Sequence, residues 1–424
     1  MSRAPDAPSA RRPVPGTAPG TVAVVAPYGD DDGHVREYTR LGWECVAVAL
    51  PDHEPPAARR DRAADLPGRP LTLVHTGMRH TVKRLAGRGV DRVVAGSGPG
   101  VALAERLSLL LGLPGNDPGT TFVRTNRAIQ AAALADAGIA SVPSVHSTDV
   151  ADALRWADMV RFPSYVVAAA DSSATARPAV CSTPDEIAAA WRRAHRAARD
   201  RTGSGGVVVQ QRVPGPQYLV QTVGGPAPGA HLVSAIWSES RTGTQVHDRS
   251  ELLDHRGPLF RALSRYALRV LPVLGIAHGA ARLRVAWCDR RGPVLLSARA
   301  FAQPSPADDY SPSVSHIAAA ARAATTDGLG RASASGRRAV MRVSLAAPAD
   351  GCVLDAALLR TISALPTLAH VIRFAHPGRP LRKTLDRASS PGELVLTGAA
   401  RAVEEDYRLI RSIERVGLYE GRRP

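Results

Sequence analysis

Apolar and polar positions alternate in short blocks through the first quarter of the chain. Runs rich in Val, Ala and Leu that are too short for helices predict β-strands, and helical spacing of apolar residues follows most of them. The predicted strands cover residues 21–26, 44–50, 71–76 and 91–95, and the predicted helices cover 34–41, 81–86 and 101–111. Strands that alternate with helices predict a parallel, doubly wound α/β sheet.

Beyond residue 116 the pattern changes to longer helices and strands in a mixed order. Helices are predicted over 125–137, 147–159, 183–201 and 259–274, and strands over 164–170, 207–212, 218–223 and 231–238. Runs 281–287 and 293–298 flank a polar turn, as the two strands of a β-hairpin do. From about residue 335 the strands 340–345 and 393–397 belong to a third, α+β unit. The fold class is therefore α/β followed by α+β.

The charge of the chain is strongly positive and comes almost entirely from arginine. Lysine and arginine total 54 and aspartate and glutamate total 38, so the formal net charge is +16. Lys83 and Lys383 are the only lysines. The arginines are dispersed, aromatic residues make up only 4% of the chain, and no zinc-finger or helix-turn-helix signature occurs. Basic charge without stacking residues favours a solvated surface over a nucleic-acid interface.

Other features bear on where the protein works. Hydrophobic residues make up 44% of the chain, which excludes wholesale disorder, and no run reaches the ~18 apolar residues of a membrane span. Residues 1–20 lack an apolar core and are predicted to be a flexible tail rather than a secretory signal. The four cysteines are far apart, without a CxxC pair, which predicts free thiols in a cytoplasmic protein.

Several segments occur in an order that resembles the ATP-grasp superfamily, and within it the carboxylate–amine ligases. They are VDRVVAGSGPGVALAERLSLLLGLPGND, ALADAGI, FPSYVV with a Ser-rich loop, VVVQQRVPGPQYLV, GIAHGAARLRVAW and GPVLLSARA. The resemblance implies a Rossmann-like pre-ATP-grasp domain at 21–119 and an ATP-grasp core at 120–330, with a small lid at about 142–205. A C-terminal α+β lobe follows at 331–424. In these ligases ATP phosphorylates a carboxylate, and an amine then attacks the acyl phosphate.

The lysines that hold ATP phosphates in this family are replaced here. Arg127 stands at the first lysine position, and Val167 or Ala168 at the second. The lid loop DSSATARP contains no glycine, although family members use glycine amides there to approach phosphate. Arg127 can still contact a phosphate through its guanidinium.

The positions that contact adenine and ribose in the family carry glutamine. Gln210 and Gln211 replace the two acids of the adenine hinge, and Gln217 replaces the ribose acid. The resemblance thus assigns cofactor binding to Arg127, Gln210, Gln211 and Gln217, and it implies a weak ATP site.

The magnesium ligands of the family are replaced by groups that repel a cation. Arg284 and Ser297 stand at the two acid positions, Arg299 at the asparagine, and Arg282 at the preceding histidine. A guanidinium ~5 Å from Mg²⁺ costs about 6–7 kcal/mol at an effective dielectric constant near 20. No metal is expected, and Arg282, Arg284 and Arg299 become candidate anion-binding residues.

The sequence therefore predicts a pseudoenzyme without catalytic residues that acts beside an active ligase or another biosynthetic enzyme, with a homodimer as a further expectation. An active, divergent ATP-dependent ligase stays open as an alternative, with Asp308, Asp309 or Glu239 as metal ligands. A basic nucleic-acid-binding protein stays open as a second alternative.

Overall fold

The computed structural model of the chain describes residues 19–27, 33–53, 71–171, 178–203, 205–225, 227–242, 246–303, 315–325, 338–387 and 389–421. The predicted tail up to residue 18, most of the 171–178 loop, and the candidate ligands Asp308 and Asp309 lie outside these residues.

The N-terminal unit is a parallel sheet, as the alternation of strands and helices predicts. Its strands are β1 (Thr21–Val25), β2 (Glu44–Ala49), β3 (Leu71–Val74) and β4 (Arg92–Ala95), in the order β3-β2-β1-β4. The accompanying helices are α1 (Gly33–Arg40), α2 (Met78–Ala86) and α3 (Val101–Leu111). Val25, Val48 and Leu107 are fully buried between sheet and helices, because parallel strands are covered on both faces.

Two helices link this unit to the rest of the chain. They are the short α4 (Thr121–Thr125) and α5 (Arg127–Asp136). Arg124 on α4 is buried and donates two hydrogen bonds, of 2.7 and 2.8 Å, to the carboxylate of Glu105 on α3. It also donates to the carbonyl oxygens of Asp117 and Gly275. This one side chain therefore ties three separate chain segments together.

A second, antiparallel sheet occupies the region predicted to be the lid. Its strands are β5 (Ser144–Ser147), β6 (Tyr165–Ala169), β7 (Ala179–Cys181) and β8 (Val207–Gln211), packed on α6 (Val150–Val160) and α7 (Pro184–Thr202). β5 and β7 are absent from the prediction. The helix predicted from residue 147 begins instead after Asp149, whose side chain accepts a hydrogen bond from the Ala151 amide and caps it.

The largest sheet has eight antiparallel strands in the order β13-β12-β9-β10-β11-β14-β17-β16. Those before residue 330 are β9 (Gln217–Gly224), β10 (His231–Arg241), β11 (His247–Leu252), β12 (Ala280–Cys288) and β13 (Gly292–Arg299). Those after it are β14 (Ala339–Ser344), β16 (Leu368–Phe374) and β17 (Gly392–Gly398), and a separate two-stranded pair joins β15 (Val353–Leu354) to β18 (Tyr419–Glu420). Because β11 pairs with β14, one sheet spans the predicted core and C-terminal lobe.

Helices cover one face of this sheet. They are α8 (Pro258–Val273) over β9 and β10, and α10 (Ala356–Ser363) and α11 (Ala400–Val416) over β14 and β17, while α9 (His316–Thr325) lies against the other end of β9. Leu283 of β12 and Leu263 of α8 are fully buried between the sheet and α8, and Val343 of β14 and Ile410 of α11 are fully buried between the sheet and α11. The opposite face carries most of the charged side chains of the strands.

Candidate functional site

The hairpin of β12 and β13 places the predicted arginines on one face. Arg282 and Arg284 alternate with Leu283 and Val285, which are fully buried in the core. The register pairs Arg282 with Arg299 and Arg284 with Ser297. Since residues paired across a ladder point to the same side of a sheet, the guanidiniums of Arg282, Arg284 and Arg299 share one surface.

Arg127 belongs to the same cluster, although it comes from helix α5. Its backbone amide donates to the Ala170 carbonyl oxygen at 3.2 Å, at the end of the lid sheet. Burial lowers the pKa of Arg127 to about 10; the charges of Arg299 and Arg284 act in the same direction, and the carboxylate of Asp171 opposes them. The buried Nε of Arg127 has no hydrogen-bond partner among the described residues. The four predicted cations therefore form one cluster, which is called the arginine cleft below.

Two carboxylates act on this cluster: Asp171, on Arg127 and Arg299, and Glu239 of β10, on Arg282 and Arg284. Oε2 of Glu239 lies 3.1 Å from Nη2 of Arg284, and the Glu239 side chain is 3% exposed. Burial by itself would raise the pKa of Glu239, but the charges of Arg284 and Arg282 hold it below its usual value. Glu239 is therefore an anion that is already paired with the guanidinium of Arg284, so it is not a free carboxylate that could bind a metal.

Arg282 lies deepest in the cluster. Burial lowers its pKa to about 9; the charges of Arg284, Arg299 and Arg387 lower it further, while Glu239 opposes them. Its Nη1 donates to Oε1 of Gln303 at 3.1 Å. Arg282 therefore stays charged at neutral pH in a place where cations outnumber anions.

This donor set fits an anion and does not fit Mg²⁺. Among the described residues, no group of three or more His, Cys, Asp or Glu side chains could hold a metal ion. Guanidiniums lack the oxygen lone pairs that Mg²⁺ requires, and their charge repels it. The same guanidiniums present paired N–H groups that match the oxygens of phosphates and carboxylates.

No protein-family profile and no curated protein sequence matches the chain. Solved structures do match it over almost its whole length. L-amino acid ligase from Bacillus licheniformis is 14% identical with a TM-score of 0.70, covering 95% of this chain and 98% of that one. Carboxyaminoimidazole ribonucleotide synthase from Aspergillus clavatus, solved with ATP, is 13% identical with a TM-score of 0.66, covering 93% and 98%.

This chain has the ATP-grasp fold. The match extends to a biotin carboxylase domain from Hydrogenobacter thermophilus, solved as a dimer with MgADP. It is 16% identical with a TM-score of 0.61, covering 94% of this chain and 90% of that one. The order of segments in the sequence therefore identified the fold correctly at an identity too low to transfer an activity.

The glutamines assigned to the ATP-grasp nucleotide site separate into two places. Gln217 pairs with Glu239 across β9 and β10, so it lies next to the arginine cluster. Gln210 is buried in the lid sheet, and Gln211 accepts a hydrogen bond of 3.4 Å from Arg291 at the turn of the β12–β13 hairpin. The four residues from Arg284 to the end of β12 at Cys288 span about 13 Å at the rise of a β-strand.

The two candidates for the second lysine position, Val167 and Ala168, are both buried. Val167 is 1% exposed and Ala168 is 3% exposed, both on β6 in the lid sheet. Val167 packs in the core between the sheet and α7.

One positioning residue of the cleft is absent from the prediction. Gln130 of α5 is buried, accepts a hydrogen bond from the Ala298 amide at 2.9 Å, and donates to the Ala298 and Arg124 carbonyl oxygens. It thereby locks the helix that begins with Arg127 against the strand that ends with Arg299. A glutamine in the amphipathic pattern of a helix gives no sequence signal of this role.

No helix among the described residues is long and apolar enough to cross a membrane.

Proposed function

We propose that this ATP-grasp-fold protein binds a nucleotide or a related phosphate ligand in its arginine cleft without Mg²⁺ and forms no amide bond. It would act as a non-catalytic partner of a carboxylate–amine ligase or another biosynthetic enzyme. The proposal rests on the surface that Arg282, Arg284 and Arg299 share with the Arg284–Glu239 ion pair.

The charges of the cleft support this reading. Phosphoryl transfer needs cations that neutralise charge developing on the phosphate, and most ATP-dependent enzymes use Mg²⁺ with lysine or arginine. Here the positions that resemble metal ligands are themselves cationic, and no lysine occurs between residues 83 and 383. Arginines can hold phosphate oxygens in the ground state, but they supply no metal bridge to a substrate carboxylate.

The dimensions of the cleft support a nucleotide as the ligand. Gln211 lies at the turn end of the β12–β13 hairpin, about 13 Å along the strand from Arg284. Gln217 lies between these points on the neighbouring strand, paired with Ala286. An adenine at the hinge, a ribose at Gln217 and phosphates at the arginines would occupy this length in order.

The division into functional units forms part of the proposal. We assign a pre-ATP-grasp domain to 21–119, a core with its lid at about 142–205 to 120–330, and a C-terminal lobe to 331–424. The parallel sheet and the separate lid sheet support the first two units, and the shared sheet ties the lobe to the core. A homodimer is proposed as well, to be checked by light scattering on the purified chain.

Calorimetric titration with ATP, with and without Mg²⁺, tests the proposed function. We expect binding without Mg²⁺, and we expect added Mg²⁺ to weaken it, because the metal neutralises the phosphates that the arginines bind. Arg284→Gln should reduce affinity, whereas Arg401→Gln, an exposed residue of α11, should not. Tight binding that requires Mg²⁺, or ADP release with carboxylate and amine substrates, would contradict the proposal and favour an active ligase.

A further inference from the structure

An open groove lies beside helix α8, away from the arginine cleft. It runs between α8, the segment that follows α5 and the turn of the β12–β13 hairpin, and its volume is about 340 Å³. Ile139, Tyr266 and Pro293 give it apolar walls. Ligand sites in proteins commonly measure roughly 300–1,000 Å³, so the groove has the size of a small-molecule site.

Positive charge lines this groove from two elements. Arg265 and Arg269 are four residues apart on α8, so they point to the same side of the helix, and both are exposed. Arg291 is exposed on the hairpin turn. Among the described residues that line the groove, none is acidic; the carboxylate nearest to Arg291 along the chain, that of Asp289, is exposed and outside the lining.

Hydrogen bonds hold the wall at Tyr266 in place. The hydroxyl of Tyr266 accepts from the Leu295 amide at 2.7 Å and lies 3.4 Å from the Ala140 carbonyl oxygen. Burial raises the pKa of Tyr266 to about 12, and the neighbouring charge of Arg269 opposes this shift. The ring is therefore a fixed and uncharged surface that lies close to a guanidinium.

Arg291 reaches the groove from a turn that also contacts the lid sheet. Its Nη2 donates to Oε1 of Gln211 on β8 at 3.4 Å. A hydrogen bond from Arg291 also lowers the pKa of the Cys288 thiol. A guanidinium carries five N–H donors in a planar fork, so these two contacts leave donors that a carboxylate or a phosphate can use.

The groove and the arginine cleft lie on opposite faces of the large sheet. Leu283 and Val285 of β12 point into the core under α8, and Tyr266 belongs to the same core. Arg282 and Arg284 alternate with them and therefore point to the other face. Because the sheet separates the two sites, they take separate ligands.

We infer that this groove binds a small amphipathic anion. Its carboxylate or phosphate contacts the guanidiniums of Arg265, Arg269 and Arg291, and its apolar body packs on Tyr266 and Pro293. Like charges around one concave surface repel each other, and a bound anion offsets that repulsion. The ligand is a small molecule, because a stable protein interface needs roughly 800 Å² from each partner, which a groove of this size does not offer.

Calorimetric titration of the full chain, without metal, tests the ligand class with four probes. They are α-naphthyl phosphate, α-naphthoate, inorganic phosphate and α-naphthol. The better of the two naphthyl anions should bind at least about 10-fold more tightly than inorganic phosphate, which lacks the apolar body, and than α-naphthol, which lacks the charge. The tighter naphthyl anion identifies the preferred charged group. Equal affinities for the naphthyl anions and α-naphthol would overturn the inference.

Arginine-specific labelling with phenylglyoxal, measured by mass spectrometry, locates the bound probe. The tighter naphthyl anion should slow the labelling of Arg265, Arg269 and Arg291 several-fold. It should leave the labelling rate of Arg401, an exposed residue of α11, unchanged. Protection of Arg284 without protection of the groove arginines would place the probe in the arginine cleft and overturn the inference.

Variants assign the affinity to the groove. Arg265→Gln combined with Arg269→Gln should weaken binding of the naphthyl anion at least about 10-fold, because charged hydrogen bonds are lost. Both positions are exposed on a helix and glutamine is a good helix former, so the fold should persist. Arg291→Gln provides the same measurement from the hairpin side, and Arg401→Gln is the matched control. Full affinity in both groove variants would overturn the inference.

The outcome is separable from that of the proposed function. A chain that binds the naphthyl anion in the groove but fails to bind ATP keeps this inference and loses the nucleotide assignment. A chain that binds ATP without Mg²⁺, and whose groove arginines gain no protection from either naphthyl anion, keeps the proposed function and loses the groove site.

Discussion

Arg124 and Arg127 are three residues apart in the chain, on the separate helices α4 and α5, and their electrostatic surroundings differ. Arg124 is 1% exposed, and all three of its nitrogens donate, to Glu105, to the Thr120 hydroxyl and to backbone carbonyl oxygens. Arg127 has a buried Nε without a hydrogen-bond partner among the described residues, and burial together with two neighbouring arginines lowers its pKa.

The contrast distinguishes a charge whose hydrogen bonds stabilise the fold from a charge with donor capacity left for a ligand. A buried cation with a full set of acceptors can be kept without a net cost, whereas an unmatched one destabilises the chain that carries it. Unmatched charge is expected where function requires it, because a bound anion supplies the missing partner. The cluster sets the four guanidiniums of Arg127, Arg282, Arg284 and Arg299 against two carboxylates, Glu239 and Asp171, whereas every nitrogen of Arg124 has an acceptor.

The largest predicted effect falls on the Arg124–Glu105 ion pair. Arg124→Met should lower the free energy of unfolding by about 3–5 kcal/mol, because it leaves the Glu105 carboxylate buried without a cation. Urea denaturation measures the loss. Glu105→Gln combined with Arg124→Met should recover part of it, since the uncompensated charge is then gone. A loss below about 1 kcal/mol would show that the Arg124–Glu105 ion pair contributes no more to stability than a solvent-exposed pair does.

The next effect is a change of ligand class in the cleft. Arg284→Glu, Ser297→Glu and Arg299→Asn together should create a site for Mg²⁺ near Glu239, with a dissociation constant around 1 mM, or about 4 kcal/mol. Calorimetry with Mg²⁺ or Mn²⁺ measures the gain, and the wild-type chain is the control. A folded triple variant without divalent-cation binding would mean that these positions do not correspond to metal ligands.

Arg127→Met tests the other half of the comparison. It should leave the free energy of unfolding unchanged or raise it, because it removes a poorly compensated buried cation. It should weaken phosphate-ligand binding by about 2 kcal/mol, or roughly 30-fold, as expected for a lost charged hydrogen bond. Melting curves and calorimetry on the same sample give both values. A destabilised variant with full affinity would reverse the assignment of Arg124 and Arg127.

The smallest effect is a dependence of stability on alkaline pH. The pKa of Arg282 is lowered to about 9 in the folded chain, well below its value in the unfolded chain. Above pH 9 the unfolded chain therefore binds more protons at this group, and its contribution to stability rises with pH. Between pH 8 and 10 the gain should be about 1 kcal/mol relative to Arg282→Gln, measured by urea denaturation. If the free energy of unfolding depends on pH in the same way in the wild-type chain and in Arg282→Gln, the prediction is wrong.

Much of the fold could be predicted from local pattern. The four N-terminal strands are runs of Val, Ala and Leu, and the structure has all four at nearly the predicted bounds. The strands missed are β5, β7, β11, β15, β16 and β18, which are short or carry polar residues on both faces, as in HDRSEL of β11. These segments become strands because they pair with residues far away in the sequence, and a pattern of neighbouring residues does not contain that information.

The sequence alone determined the identity of the charges in this protein. Positions 127, 282, 284 and 299 carry arginine in the sequence itself. The chain has only two lysines, so any chemistry that needs an ammonium group has two candidate residues. Resemblance in segment order was enough to expect these arginines in one cleft.

Only the tertiary structure decided which charges are matched. Arg124 and Glu105 are 19 residues apart, and Arg284 and Glu239 belong to different strands. Arg342 and Arg373 reach Glu393 from neighbouring strands, and Arg387 reaches it from the segment before β17. Electrostatic energy depends on distances and burial that are set when strands pair and helices pack. The sequence therefore supplied the excess of arginine, and the fold decided where that excess becomes a site.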